Sequence, residues 1–321
     1  MTNDDRSHIE ELAHLYVDGA FDRRELLKRV ARVTGSVAAA IVALESVGVA
    51  AQERDEVQVA RSEDVRVPED ARDLEVMSVQ FPGEAGPIFA HRARPRRTRR
   101  RPHQATQPAA DEATLAARVE PLPGILVIHE NRGLNEHIRD VTRRAARAGF
   151  VALGIDLLSR LGGTPEDPEE ALRLYQQTTP EGRLADMLSA LAYLQGLDFV
   201  LGDKLGAVGF CAGGGNCWHL ALNTDALSAA VPYYGAPVPP VEALATLRPP
   251  VLAIYAELDR NLTRGILPVI LRLEELQKPF GFHIYEGTRH AFHNDTGANY
   301  DRAAASDAWS KTTAFFEKHL S

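Results

Sequence analysis

The sequence predicts an α/β fold, a mostly parallel central sheet with helices on both faces. Three observations carry that prediction. From residue 125 to the C-terminus, apolar runs of strand length alternate with longer helical stretches, the pattern of successive β-α units. The chain has 321 residues. With an N-terminal segment set aside, about 250 remain, large for one core but normal for this class. Hydrophobic residues make up 45% and charged residues 25%, an ordinary globular balance.

The elements follow in order. Ile125–His129 reads as the first core strand. Asn135–Ala148 reads as a helix ended by Gly149. Phe150–Asp156 is the next strand. Glu169–Gln195 is a long helical stretch, divisible into two helices, that could form part of a lid. Leu205–Phe210, Ala229–Tyr234, Val251–Tyr255 and Phe282–Tyr285 read as strands, and Ser306–His319 as the closing helix. No internal repeat is present.

Ahead of the domain (73–321), residues 1–51 read as a signal or N-terminal helix. Phe21-Asp22-Arg23-Arg24-Glu25-Leu26-Leu27-Lys28 resembles a twin-arginine motif, the run Val33–Leu44 is apolar, and Val49-Ala50-Ala51 offers small residues for cleavage. In that order these parts read as an export signal, with export machinery as partner and an extracytoplasmic destination. Glu45 and an acidic leader favour the alternative, a packed amphipathic helix from Asp22 to Leu44 and a cytoplasmic protein. The run is too short to span a bilayer permanently. Residues 52–72, charged and poor in large apolar groups, read as a linker.

A second such stretch lies near 93–119 and holds Arg94-Pro95-Arg96-Arg97-Thr98-Arg99-Arg100-Arg101-Pro102. It reads as a solvated insertion between a first hairpin and the first core strand. The sharper alternative is attachment to an anionic lipid or polymer. The net charge of −8 makes nucleic acid an improbable partner for the whole chain.

The chemistry concentrates in Gly209-Phe210-Cys211-Ala212-Gly213-Gly214, directly after the apolar run Leu205–Val208. This is G-x-C-x-G, the cysteine form of the G-x-S-x-G nucleophile elbow. A strand-to-helix corner that sharp crowds neighbouring Cβ positions, and glycine has none. The following helix turns its N-terminal N–H groups and positive end toward the thiol, which is expected to favour thiolate. The bland reading is a buried cysteine in a glycine-rich turn.

Two further strand ends weigh against it. Val251–Tyr255 leads into Ala256-Glu257-Leu258-Asp259, and Phe282–Tyr285 leads into Glu286-Gly287-Thr288-Arg289-His290. Nucleophile, acid and histidine thus appear in the order of the α/β-hydrolase fold, each past its own strand. On spacing alone, Glu257 and Asp259 both qualify as the acid.

Here the chain resembles the dienelactone hydrolase family, from about Leu74 to Ser321 outside the insertion. The residues that carry the likeness are the elbow, His290-Ala291-Phe292-His293-Asn294-Asp295, Leu126-Val127-Ile128-His129-Glu130-Asn131-Arg132-Gly133-Leu134, and the closing Ala308–Phe316. The resemblance implies a triad of Cys211, Asp259 and His290. It implies that Glu130 faces the thiol and takes part in its activation, and that the backbone N–H groups of Ala212 and Asn131 form the oxyanion hole. Dienelactone-cleaving members hold the substrate carboxylate with two arginines. Arg160 matches one of these, but Asn294 stands at the other, which weakens the case for a small anionic lactone.

The remaining candidates read as structural. Cys217 lies six residues from Cys211, a spacing that suits neither a redox pair nor a metal site, and reads as buried packing. His219 and His293 read as packed neighbours, whereas His129 could line the site. With no H-E-x-x-H, Walker A or G-x-G-x-x-G motif, neither a metal nor a nucleotide cofactor is expected. The sequence therefore points to a hydrolase cleaving a small-molecule ester or lactone through Cys211. The alternatives are an acyltransferase on the same fold and a catalytically silent ligand-binding homologue. The oligomeric state is unknown from sequence.

Overall fold

The computed structural model describes Val30, residues 66–96 and residues 120–321. An eight-stranded sheet runs through the domain in the order β1-β2-β4-β3-β5-β6-β7-β8. Strands β1 (Leu74–Gly83) and β2 (Gly86–Pro95) form an antiparallel hairpin. Strand β2 joins β4 (Val151–Ile155) antiparallel, and every later pairing is parallel. The parallel set is completed by β3 (Leu122–Ile128), β5 (Val200–Phe210), β6 (Ala229–Tyr233), β7 (Val251–Ala256) and β8 (Phe280–Tyr285).

The sheet is buried on both faces because successive strand residues point to opposite sides. In β3, Leu126 and Ile128 join one core cluster, with Leu153 and Trp218, while Ile125 and Val127 join the other, with Ile254 and Phe316. Helices cover both clusters, and their starts are legible. In α1 (Glu136–Arg147) the side chain of Asn135 accepts from Ile138 N–H. In α2 (Pro168–Gln177) and α3 (Pro180–Gln195), Asp167 and Thr179 cap the ends and a proline opens each helix. The predicted stretch 169–195 is therefore two helices. Helix α4 (Ala212–Asn223) follows the elbow, and α6 (Arg302–Leu320) closes the chain.

The structure adds one helix and corrects two expectations. Arg260-Asn261, directly after the candidate acid, opens α5 (Arg260–Glu275). Pro268 removes one helical hydrogen bond there, but the buried row Ile266, Leu267, Val269, Ile270 and Leu273 holds the helix on the sheet. The predicted linker ends early. Val67 and Ala71 are buried with Leu74, Ala93 and Ala146, and Val67 N–H donates to Asp140 over 2.6 Å. The insertion also begins later than its basic residues suggest. Arg94 pairs with Glu75 at 3.0 and 2.8 Å and lies 3.9 Å over the Phe199 ring, while Arg96 donates to the Leu74 carbonyl. The rest of the basic block lies outside the described residues, as do the twin-arginine motif, the apolar run and the cleavage site. Val30, the one described residue of the N-terminal segment, is helical and buried in the first core cluster. Among the described residues no helix is long and apolar enough to cross a membrane.

Candidate active site

The elbow is as sharp as the glycines require. Cys211 sits at φ 55°, ψ −117°, a left-handed backbone that a side-chain-bearing residue adopts only when its surroundings enforce it. A Cβ on Gly209 would lie 2.0 Å from the Gly213 carbonyl oxygen, and one on Gly213 would lie 2.4 Å from the oxygens of Ile128 and His129. The corner closes only with glycine at both places. The ends of β3 and β5 are thereby held together. Ile128 pairs with Gly209, so Glu130 and Cys211 each stand two residues past a paired position.

Asp259 and His290 extend the site from beyond the ends of β7 and β8, on the far side of β6 from the elbow strand. Asp259, at the N-cap of α5, places Oδ2 2.5 Å from His290 Nδ1. A carboxylate only accepts, so Nδ1 carries the proton and Nε2 is left as the basic nitrogen. Glu257 is occupied elsewhere, accepting from Gly287 N–H over 2.8 Å. The Tyr234 ring lies 5.0 Å from the His290 ring, with its buried hydroxyl unpartnered among the described residues.

Glu130 is 8% exposed. Its Oε2 accepts from Asn294 Nδ2 over 2.7 Å, and its Oε1 is buried with no protein partner among the described residues. Burial pushes the Cys211 thiol up to about 12, reinforced by the Glu130 and Asp259 carboxylates and opposed by the Ala212 N–H and Arg132. The thiolate favoured by the helix end is therefore opposed by the rest of the site. The helix end acts in the predicted direction, but desolvation and two carboxylates outweigh it. Ala212 N–H begins α4 at the thiol, and Asn131 follows Glu130 in the turn after β3.

Both clamp positions have partners within the protein. Arg160 is bound to the buried Asp186 through Nε at 3.0 and 2.9 Å and through Nη2 at 2.9 Å. Asn294 holds Glu130. Beside them a pocket of about 280 Å³ opens between Glu130, Arg132, Asn135, Glu166, Asn294 and Thr296. Arg132 reaches across its rim to Glu169 at 2.9 Å.

His129, a possible site-lining residue on sequence, is structural. Its Nε2 accepts from Leu157 N–H at 3.0 Å, which leaves Nδ1 to donate to the Glu130 carbonyl at 2.5 Å. Burial pushes it down, keeping it neutral. His293 is fully buried, stacked on Phe210 at 5.0 Å, and burial pushes it far down as well. Cys217 is buried, its thiol 3.5 Å from the Ala207 carbonyl. Sequence reading did not reach one polar group in this region. Asn216, buried on α4, donates to Tyr175 Oη and accepts from Arg183 Nε. A buried asparagine among the elbow-helix glycines is the signal that would have marked it. Among the described residues no group of His, Cys, Asp or Glu side chains is arranged to hold a metal ion.

Comparison with known proteins shows the family to which the fold belongs. The sequence profile of the dienelactone hydrolase family matches residues 112–320, well over half the chain. A "putative carboxymethylenebutenolidase" of Saccharolobus solfataricus is 31% identical over 245 residues, covering 64% of this chain and 93% of its own. Another of that name, from Methylorubrum extorquens, is 30% identical and covers 78% of this chain and 83% of its own. The crystal structure titled as a putative dienelactone hydrolase from Klebsiella pneumoniae superposes with a TM-score of 0.64 at 25% identity, covering 76% of this chain and 99% of that one.

Proposed function

Since this chain belongs to the dienelactone hydrolase family, we propose that it cleaves a carboxylic ester or lactone with Cys211 as nucleophile, His290 as base and Asp259 orienting the imidazole. The observation that carries this reading is the 2.5 Å Asp259–His290 contact at the strand ends next to a strained elbow cysteine. The pair fixes the tautomer and stabilises imidazolium once His290 takes a proton.

The thiol rests neutral, so attack begins with loss of its proton. Glu130 Oε1, buried and unpartnered among the described residues, supports a part for Glu130 in that step, and His290 Nε2 is the other acceptor. The thiolate adds to the substrate carbonyl carbon. The resulting oxyanion is held by the N–H groups of Ala212 and Asn131. Collapse breaks the carbon–oxygen bond, and the leaving alkoxide takes the proton that the thiol gave up, from whichever of His290 and Glu130 holds it, leaving a thioester on Cys211. A water molecule, losing its proton to His290, then adds to the thioester carbon and releases the acid and the thiol. From a lactone, acid and alcohol leave as one hydroxy acid.

With Arg160 bound to Asp186 and Asn294 bound to Glu130, neutral esters and lactones are accepted at least as well as anionic ones. The experiment is stoichiometric acylation by a cysteine-directed probe, located by peptide mapping, alongside turnover of small esters and lactones with and without a carboxylate. Acylation at Cys211 with turnover is expected. Absence of both from folded protein would sink the reading.

A further inference from the structure

The loop behind His290 contains a carboxylate that the reaction does not use. Asp295 is 7% exposed and accepts from His137 Nδ1 at 2.9 Å, from Arg144 Nη2 at 2.9 Å and from Arg66 Nε at 2.8 Å. Its backbone carbonyl accepts from Arg66 Nη2 at 3.1 Å. Three donors from two other segments of the chain thus converge on one loop residue. Asp140, on α1 between His137 and Arg144, extends the clamp by pairing with Arg144 and accepting from Val67 N–H. Burial alone would raise the Asp295 carboxyl, but the His137 and Arg66 bonds and the Arg144 charge hold it far below the usual carboxylate range. Asp295 is therefore ionised at neutral pH.

The preceding residue touches the catalytic machinery. Asn294 Oδ1 accepts from Thr296 N–H at 3.0 Å and from Thr296 Oγ1 at 2.7 Å, which turns Nδ2 toward Glu130. We propose that Asp295 is a positioning residue: anchored by Arg66, His137 and Arg144, it fixes the Asn294 amide, which holds Glu130 Oε2 and leaves Oε1 for the Cys211 thiol. This rests on the reading of Cys211 as nucleophile. It gives Arg66, seven residues upstream of the predicted domain start, a part in presenting the site.

The test uses full-length protein and p-nitrophenyl acetate, a neutral ester. Asp295→Asn keeps the shape of the side chain and removes its charge. It is expected to lower kcat by about a hundredfold, the scale of a displacement of about 1 Å, with KM little changed because Asp295 does not line the pocket. The pH profile supplies a second readout, because loss of the Asn294 amide changes the hydrogen bonding of the carboxylate that faces the thiol. The acid limb of the kcat/KM profile is therefore expected to move. That movement is expected in Asn294→Ala, in Asp295→Asn and, to a smaller extent, in Arg66→Ala, whose exposed side chain makes it the variant certain to be measurable. The Asn294→Ala/Asp295→Asn double variant should be no slower than Asn294→Ala alone, because one residue acts through the other. An unmoved acid limb in Asn294→Ala and Arg66→Ala would overturn the proposal, as would losses that multiply in the double variant. If instead Cys211→Ala kept hydrolysing the ester, the nucleophile assignment itself would have failed.

Discussion

Arg160 grips Asp186 through two nitrogens: Nε lies 3.0 and 2.9 Å from the two carboxylate oxygens, and Nη2 lies 2.9 Å from one of them. Asp186 is 1% exposed, so this pair is part of the packing between α3 and the segment after β4. Arg160→Ala is expected to cost about 1.5–3 kcal/mol of stability, the scale of a hydrogen bond to a charged group. The ratio of kcat/KM for a matched neutral and anionic substrate should hardly move. A wild-type preference for the anion that collapsed in this variant would return Arg160 to the substrate pocket.

Replacing the nucleophile separates chemistry from fold. Cys211→Ala should lose several powers of ten in rate with a nearly unchanged melting temperature. The resting thiol gives a second measurement. Raised to about 12 by burial and the neighbouring carboxylates, it should react with iodoacetamide at pH 7 at least about a hundredfold more slowly than a free cysteine, since only thiolate attacks. Rapid alkylation of the free enzyme would contradict that charge state.

Asp259→Asn leaves the shape of the contact and changes what it asks of the ring. An asparagine can present its amide to Nδ1 and favour the wrong tautomer, so kcat should fall by about three to four powers of ten. Glu257→Gln should be mild by comparison, because Glu257 serves the Gly287 turn. Comparable losses in the two variants would show that the acid had been misidentified.

His91 makes the fold acid-sensitive. It is fully buried, and burial, with Arg139 and Arg143 nearby, pushes it down to about 3. The folded state keeps it neutral while the unfolded state protonates near 6.5. Stability is therefore present above about pH 6.5 and is lost as pH falls toward 3, by up to about 1.4 kcal/mol per pH unit for this group. Between pH 6 and 4 the melting temperature of His91→Leu should fall less steeply than that of the wild type. Equal slopes would mean that other buried histidines, such as His129 and His293, carry the effect.

Much of this architecture could be read locally. The strand ends bearing Cys211, Asp259 and His290 are written in short apolar runs, and the elbow in its glycines. Helix α5 contains Gly265 and Pro268, both poor helix formers, and the buried face that overrides them is visible only against the sheet. The residues that bear on substrate charge and on the site's support pair across the fold: Arg160 with Asp186, Asn294 with Glu130, Arg66 with Asp295. The last two pairs are separated by 164 and 229 residues, a distance over which propensity and spacing carry no information. The protonation of the thiol was missed for a similar reason. A helix end is legible in sequence, but the dry surroundings that outweigh it are not.

The course of the hairpin gives the molecule a front and a back. Strand β2 runs against its parallel neighbours, with Ala93 opposite Ala152, while β3 begins with Gly124 opposite Val151. The chain therefore leaves at Arg96 and returns at Glu120 on the side of the sheet where the parallel strands begin. The thiol sits where they finish, a strand length of about 17–20 Å away. A graft fastened at either of those two points starts from the side of the sheet opposite the thiol. A fluorescent domain or an immobilising handle spliced there would leave substrate access unobstructed, which makes this junction the natural place to fasten the enzyme to a surface.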